Sequence, residues 1–352
     1  MILDGKRTIY PDLINKKYLI KVCENKDKIN LMIEYLKKNL NNSLIGIDFE
    51  FNRSKDKTKR EIALMQISID NNLNSIIIYL FNPNDLNEEN LNILKKFLQS
   101  KTNTKIIHGG ESLDIPYLFS EIFKTNQEQI EFCHNLYDTK YLCEYYNIEN
   151  KLNENKCKIY YLLKQMNVVN NKQFDFLMSN EEKMGPIYNI YIEVKNLKKE
   201  LILYSAFDVL FLQELYRKFP KNEIYQKLIP EISNVHFILK QVDFFDILTV
   251  NYNKFNLMFF YENTDRNTLV NIYQKKLKEY EIKFKNIIDI TYFKKFFLLF
   301  IKYEIYKNLI DKHKIYERKN VQATEELLNF FTIMEKYINP NDFKILYNYL
   351  KK

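Results

Sequence analysis

Apolar positions along the first 220 residues recur at two spacings, one of strands and one of helices. Lys17–Val22 is a short β-prone run, and Asp27–Leu40 then carries Ile29, Met32, Ile33, Leu36 and Leu40 at helical spacing. Leu44–Phe51, Ile62–Ile69 and Ser75–Phe81 read as three successive strands, joined by a charged loop over Asn52–Arg60 and a second polar connection. Consecutive strands with short polar links predict an antiparallel meander. A helix is predicted over Asp85–Gln99, with Leu86, Leu91, Leu94 and Leu98 on its apolar face. Lys105–Ile107 reads as a short strand ending at His108-Gly109-Gly110, and a helix is expected to begin at Glu111 or Ser112, with Pro116 tolerated in its first turn. Asp138–Asn147 has a helical pattern. Residues 148–196 are polar, Asn-rich and broken at Gly185-Pro186, which predicts a helical insertion or a loop-rich excursion. Leu197–Phe219 reads as one strong helix stopped by Pro220. Strands followed by alternating helices and strands predict an α/β layer on a mixed sheet for residues 1–220. Beyond Glu223 the pattern is almost wholly helical, so residues 221–352 are expected to form a second, helical domain, with Pro220 and Pro230 bracketing the boundary.

Composition narrows the partners. A chain of 352 residues is long enough for two domains. With no Trp and 53 Tyr and Phe together, its cores must be built on phenyl and phenol rings with Ile and Leu. Residues 1–220 hold 31 basic and 29 acidic side chains, whereas 221–352 hold 22 and 16, so most of the net charge of +8 lies on the helical part. A positive field there suits a polyanionic partner. Solvated helix surface in a Lys-rich chain explains it equally well, and docking of a protein partner is the other use such helices suit. The four cysteines form no CxxC pair and no zinc spacing, which predicts scattered thiols in a reducing compartment. No signal-peptide core opens the chain, and no apolar run reaches the ~18–20 residues of a membrane span. A soluble, intracellular protein without membrane association is the expectation.

The chemistry concentrates in three places. Ile45–Phe51 reads I-G-I-D-F-E-F, which puts Asp48 and Glu50 on one face of a strand, with stems roughly 6.6 Å apart. Two carboxylates that close repel by a few kcal/mol at an effective dielectric of ~20. Either the pair faces solvent or a divalent cation offsets the repulsion. Asp114 lies in the first turns of the helix after His108-Gly109-Gly110, where a helix dipole alone would favour it. Tyr204 and Asp208 stand at i and i+4 within L-I-L-Y-S-A-F-D-V-L-F-L. A carboxylate in so apolar a stretch needs a partner: a cation, Tyr204 or a lysine.

In this order the residues resemble the DEDD superfamily of 3′–5′ exonucleases, in its tyrosine branch, with ribonuclease D, its exosome-associated relative and the Werner-helicase exonuclease domain as the nearest patterns. Asp48 and Glu50 match the D-x-E of the first motif, Asp114 the second, and Tyr204 with Asp208 the Y-x-x-x-D of the third. Ala63–Ser68 (A-L-M-Q-I-S) and Tyr137-Asp138-Thr139 are similar to two supporting patterns. The resemblance covers about Lys17 to Phe219. It implies an RNase H-like, mixed five-to-six-stranded sheet flanked by helices, and metal-dependent hydrolysis of the 3′-terminal phosphodiester of RNA or DNA, releasing nucleoside 5′-monophosphates. It further implies two Mg2+ or Mn2+ ions held by Asp48, Glu50, Asp114 and Asp208, with Tyr204 orienting the attacking water. Gln66 and His108 stand as substrate contacts or as structural residues, and Asp138 as structural. Two departures accompany the resemblance. Six residues separate His108 from Asp114 where five are usual, so either the Gly109-Gly110 turn absorbs one or Glu111 takes the acidic role. The basic and aromatic stretch usual before the third motif is absent, which leaves a non-catalytic nucleic-acid-binding scaffold on the same fold as the alternative.

Overall fold

The computed structural model describes residues 2–3, 6–7, 17–53, 60–70, 75–150, 152, 157–222, 224–230, 233–234 and 237. Two short strands, β1 (Ile2–Leu3) and β2 (Lys6–Arg7), precede β3 (Lys17–Val22). Helix α1 (Lys26–Lys38) starts where Asn25 accepts the Lys28 amide at 3.0 Å, and it buries the predicted stripe Ile29, Met32, Ile33 and Leu36. β4 (Leu44–Arg53), β5 (Arg60–Asp70) and β6 (Ser75–Phe81) form the expected antiparallel meander. α2 (Glu88–Gln99) begins later than its apolar pattern suggests, because Pro83–Asp85 form a separate 3₁₀ turn and Asn87 supplies the cap.

β7 (Thr104–Ile107) is followed by α3 (Asp114–Tyr117), which continues as a π turn through Ile122. Next come α4 (Asn126–Cys133), opened by a Thr125–Glu128 capping box, then β8 (Leu136–Asp138) and α5 (Thr139–Glu149). Neither α4 nor β8 is expected from the pattern: a three-residue strand carries no periodicity of its own, and β8 exists through its parallel pairing with β7. The segment 148–196 is helical where described, with α6 (Ile159–Gln165) and α7 (Asn171–Met184). α7 starts at an Asn170–Gln173 capping box and ends at Gly185. The single helix expected over Leu197–Phe219 is two, α8 (Lys199–Leu210) and α9 (Leu212–Lys218), which part at Phe211.

The sheet order is β2-β1-β3-β6-β5-β4-β7-β8. Among its six longer-range strands β3 to β8 only β5 is antiparallel to the rest, so the sheet is mixed, with helices packed on it in an RNase H-like arrangement. β4 is central. Helix α8 lies across β4, β5 and β6, and α9 against β4 and β7. The core is aromatic, as the absence of Trp requires: Phe81, Phe97, Phe123, Phe132, Phe207 and Phe211 are fully buried.

The scattered-thiol expectation is corrected for one pair. Cys143 of α5 and Cys157 ahead of α6 form a disulfide across 14 residues, which does not fit the reducing compartment inferred from spacing. Cys23 and Cys133 are buried thiols. The chain divides into two units, and the first comprises residues 1–145 and 153–230. The helices and basic surface expected beyond Phe237 lie outside the described residues. Among those described, no helix is long and apolar enough to cross a membrane.

Candidate active site

The central strand and the helix laid over it bring the acids together. Gly46, Asp48 and Glu50 alternate onto the face of β4 that α8 covers, and the approach is close. A Cβ on Gly46 would fall 2.9 Å from the Val209 carbonyl oxygen and 2.5 Å from Ser68 Oγ. That carbonyl is among the last of α8, without a partner inside the helix, and Ser68 Oγ donates to it at 2.7 Å. The clamp sets the height of α8, and Asp208 one residue earlier descends onto the strand. Carboxylate oxygens of Asp48, Glu50 and Asp208 lie within 4.8 Å of one another. Asp114 is not among the three, yet its charge bears on both Asp48 and Glu50. Glu50 and Asp114 are buried, while Asp48 and Asp208 keep partial exposure.

The turn before Asp114 is tightly built. Asp138 accepts the amides of Gly109 at 2.9 Å, Gly110 at 3.2 Å and Lys140 at 2.9 Å. So clamped, with Gly109 at φ 70°, the turn delays the helix until Asp114. A Cβ on Gly110 would meet Ile107 Cδ1 at 2.8 Å and Asp114 Oδ2 at 3.4 Å, so glycine leaves room for that carboxylate. Glu111 is engaged elsewhere, accepting the Tyr141 hydroxyl at 2.9 Å.

Electrostatics follow from enclosing four acids together. Burial first, then the neighbouring carboxylates, raise Asp48, Glu50 and Asp208 well above the ordinary carboxylate range. Burial and the charge of Asp138 push Asp114 up to about 8. Asp208 is partly relieved by hydrogen bonds from Tyr160 and Tyr204. Tyr204 in turn is raised far above an ordinary phenol by the Asp208 charge and by burial.

The two supporting positions, Gln66 and His108, lie in different surroundings. Gln66 pairs with Asp48 across β4 and β5 but is fully buried, and neither amide atom has a partner among the described residues. Its amide is thus held beside Asp48 on the strand next to it. His108 is half-buried, its Nδ1 2.8 Å from Thr139 Oγ1, and burial lowers its pKa to about 4. The ring is tied into the β7–α5 junction, as a structural residue would be.

Two residues enter that the motifs do not contain. Tyr160 of α6 donates to Asp208 Oδ1 at 3.1 Å. Asn52, two positions beyond Glu50, holds both backbone groups of Ile192 at 2.8 Å, anchoring the segment between α7 and α8 beside the strand. The only sequence trace of Tyr160 is the apolar run I-Y-Y-L-L inside an otherwise polar segment.

A family model described as 3′–5′ exonuclease matches residues 23–223. An uncharacterised protein of Acanthamoeba polyphaga mimivirus is 26% identical over an alignment of 346 residues, covering 88% of this chain and 65% of that protein. The chain thus spans just under two thirds of the relative's length. Among solved structures, Trypanosoma brucei RNase D in complex with RNA U12 is similar at a TM-score of 0.46 and 14% identity, over 65% of this chain and 72% of that one. The Aedes aegypti Nibbler EXO domain gives 0.40 and 16%, over 63% and 94%. Brucella melitensis NrnC gives 0.38 and 14%, over 58% and 86%.

Proposed function

Since the chain belongs to the 3′–5′ exonuclease family, we propose that it hydrolyses the 3′-terminal phosphodiester of RNA or DNA with two divalent cations, Mg2+ or Mn2+, releasing nucleoside 5′-monophosphates. The observation that carries this reading is the trio Asp48, Glu50 and Asp208, drawn from a strand and a helix far apart in sequence, with oxygens within 4.8 Å. Among the described residues no lysine or arginine pairs with them. Enclosed anions without a countercharge are costly. An all-oxygen donor set suits hard cations and not zinc or copper.

Asp48, Glu50 and Asp208, with Asp114 from α3, would hold the ions. When bound, such a pair stabilises the attacking and leaving oxygens of an in-line displacement. The chain's own residues supply position and proton control. Tyr204 keeps its proton, because the Asp208 charge and burial oppose ionisation. It therefore acts as a donor that orients the attacking water and not as a base. That role supports reading the chain as a member of the tyrosine branch of the DEDD superfamily. The substrate is a single-stranded 3′ end, and the net positive charge of residues 221–352 favours its approach.

The test uses single strands labelled at either end, with Mg2+ or Mn2+ and with EDTA. Stepwise shortening from the 3′ end that EDTA stops is expected. Intact 3′ ends on both RNA and DNA in the presence of either metal would overturn the reading.

A further inference from the structure

Tyr160 lies outside every motif, yet its hydroxyl reaches one carboxylate of the cluster. The side chain is 4% exposed, and leaving the O–H of a phenol that deeply buried without a partner is costly. That partner is Asp208 Oδ1, 3.1 Å away. Asp208 thus receives two phenols, and they differ in kind. Tyr204 sits one turn before Asp208 on α8 and moves with it. Tyr160 comes from α6, a separate element with anchors of its own. Cys157, two residues ahead of α6, is bonded to Cys143 of α5. The exposed side of α6 is held by Tyr161 edge-on to Phe174 of α7, with ring centroids 5.4 Å apart, and α7 packs on both α6 and α8. The hydrogen bond from Tyr160 is therefore the contact that references the Asp208 carboxylate to a frame other than its own helix.

We propose that Tyr160 is a positioning residue for Asp208. Its phenol fixes the carboxylate in the orientation that faces Asp48 and Glu50, and so sets the affinity of the site for a divalent cation. The inference rests on the two-cation reading above and adds to it a residue that the motifs do not supply. A carboxylate free to rotate must be ordered when a cation binds, and a hydrogen bond already made removes that cost. Partners of metal ligands that act in this way typically change metal affinity by about 10–100-fold.

Mn2+ titration calorimetry on the full chain tests it. Tyr160→Phe should weaken Mn2+ binding by about 10–100-fold, with the metal-free melting temperature close to that of wild type. The Mn2+ concentration for half-maximal 3′-end shortening should rise by the same factor, while the rate at saturating Mn2+ stays near the wild-type value. A purely structural role would not split metal requirement from rate in this way. Tyr161→Phe, on the exposed side of the same helix, should change neither. 3-Fluorotyrosine at position 160 gives a reading without deleting the hydroxyl: its fluorine resonance should shift over the Mg2+ range in which the site fills. Unchanged Mn2+ affinity in Tyr160→Phe, or an unmoved fluorine resonance, beside a wild type that binds metal, would overturn the inference alone. A wild type that binds no Mn2+ would overturn the two-cation reading and this inference with it.

Discussion

At the scale of single residues, the cluster is a set of acids made unfavourable by their company. Asp48 is raised by burial and by Asp114, and Glu50 by burial and then by Asp48, Asp208 and Asp114. Replacing one member should therefore separate function from stability. Asp48→Asn is expected to abolish metal-dependent shortening of a labelled strand while the metal-free protein melts at or above the wild-type temperature. Loss of activity together with a lower melting temperature would instead mark Asp48 as a structural residue. The second motif allows a sharper comparison. Glu111 is committed to Tyr141, whereas Asp114 bears on the cluster. Glu111→Gln should leave the rate within about twofold, and Asp114→Asn should lower it by on the order of a hundredfold or more, the scale of a lost electrostatic contact to the reacting centre. The reverse ranking, read in the same strand-shortening assay, would return the acidic role to Glu111.

At the scale of elements, α8 is placed by close approach over a glycine. Gly46→Ala would put a methyl 2.9 Å from the Val209 oxygen and against Ser68 Oγ, so α8 must lift. Overpacking of this kind costs about 1–3 kcal/mol, readable as a lower urea midpoint. Because Asp208 and Tyr204 ride on α8, activity should fall further than stability alone explains. Cys143→Ser opens the loop that leads into α6, and a loop of this length contributes about 2–4 kcal/mol, to be measured by denaturation with and without reductant. What the sequence disclosed follows the same division. Asp48 with Glu50, and Tyr204 with Asp208, were legible because each pair obeys a local period, two on a strand and four on a helix. Tyr160 was not, since its approach to Asp208 depends on how α6 docks and on a disulfide that spacing alone does not reveal. The break at Phe211 was equally hidden, because the mostly apolar stretch from Leu201 to Leu212 looks the same whether one helix or two carry it. Residues 148–196, with no strong period, read as a helical insertion or a loop-rich excursion; where described they are helical, and they supply the wall behind Asp208.

At the scale of the whole molecule, protons and cations compete for one site, and the competition should be visible in stability. Each of the four acids has a folded pKa above its unfolded one, and for Asp114 the rise is to about 8. Between the unfolded and folded values the folded state holds protons that the unfolded state has released, so the metal-free protein loses stability from these groups as pH rises above about 4, for Asp114 up to about 8. Two other buried groups act in the opposite direction. His108, lowered to about 4, makes folding more favourable as pH rises through about 4 to 6.5. Lys105, lowered to about 7 by burial, does so above about 7; its ammonium lies 5.8 Å from the Phe132 ring centre, with no hydrogen-bond partner among the described residues. The raw pH profile is therefore a sum of opposed slopes. The difference between metal-loaded and metal-free protein removes His108 and Lys105, which lie outside the carboxylate trio. A cation binding only the folded state stabilises it by about 2.7 kcal/mol at a hundred times its dissociation constant, and it must first displace the protons. The rise in melting temperature on adding Mn2+ should accordingly be small near pH 5 and grow towards pH 8. An increment independent of pH would show that the ion binds away from these four carboxylates.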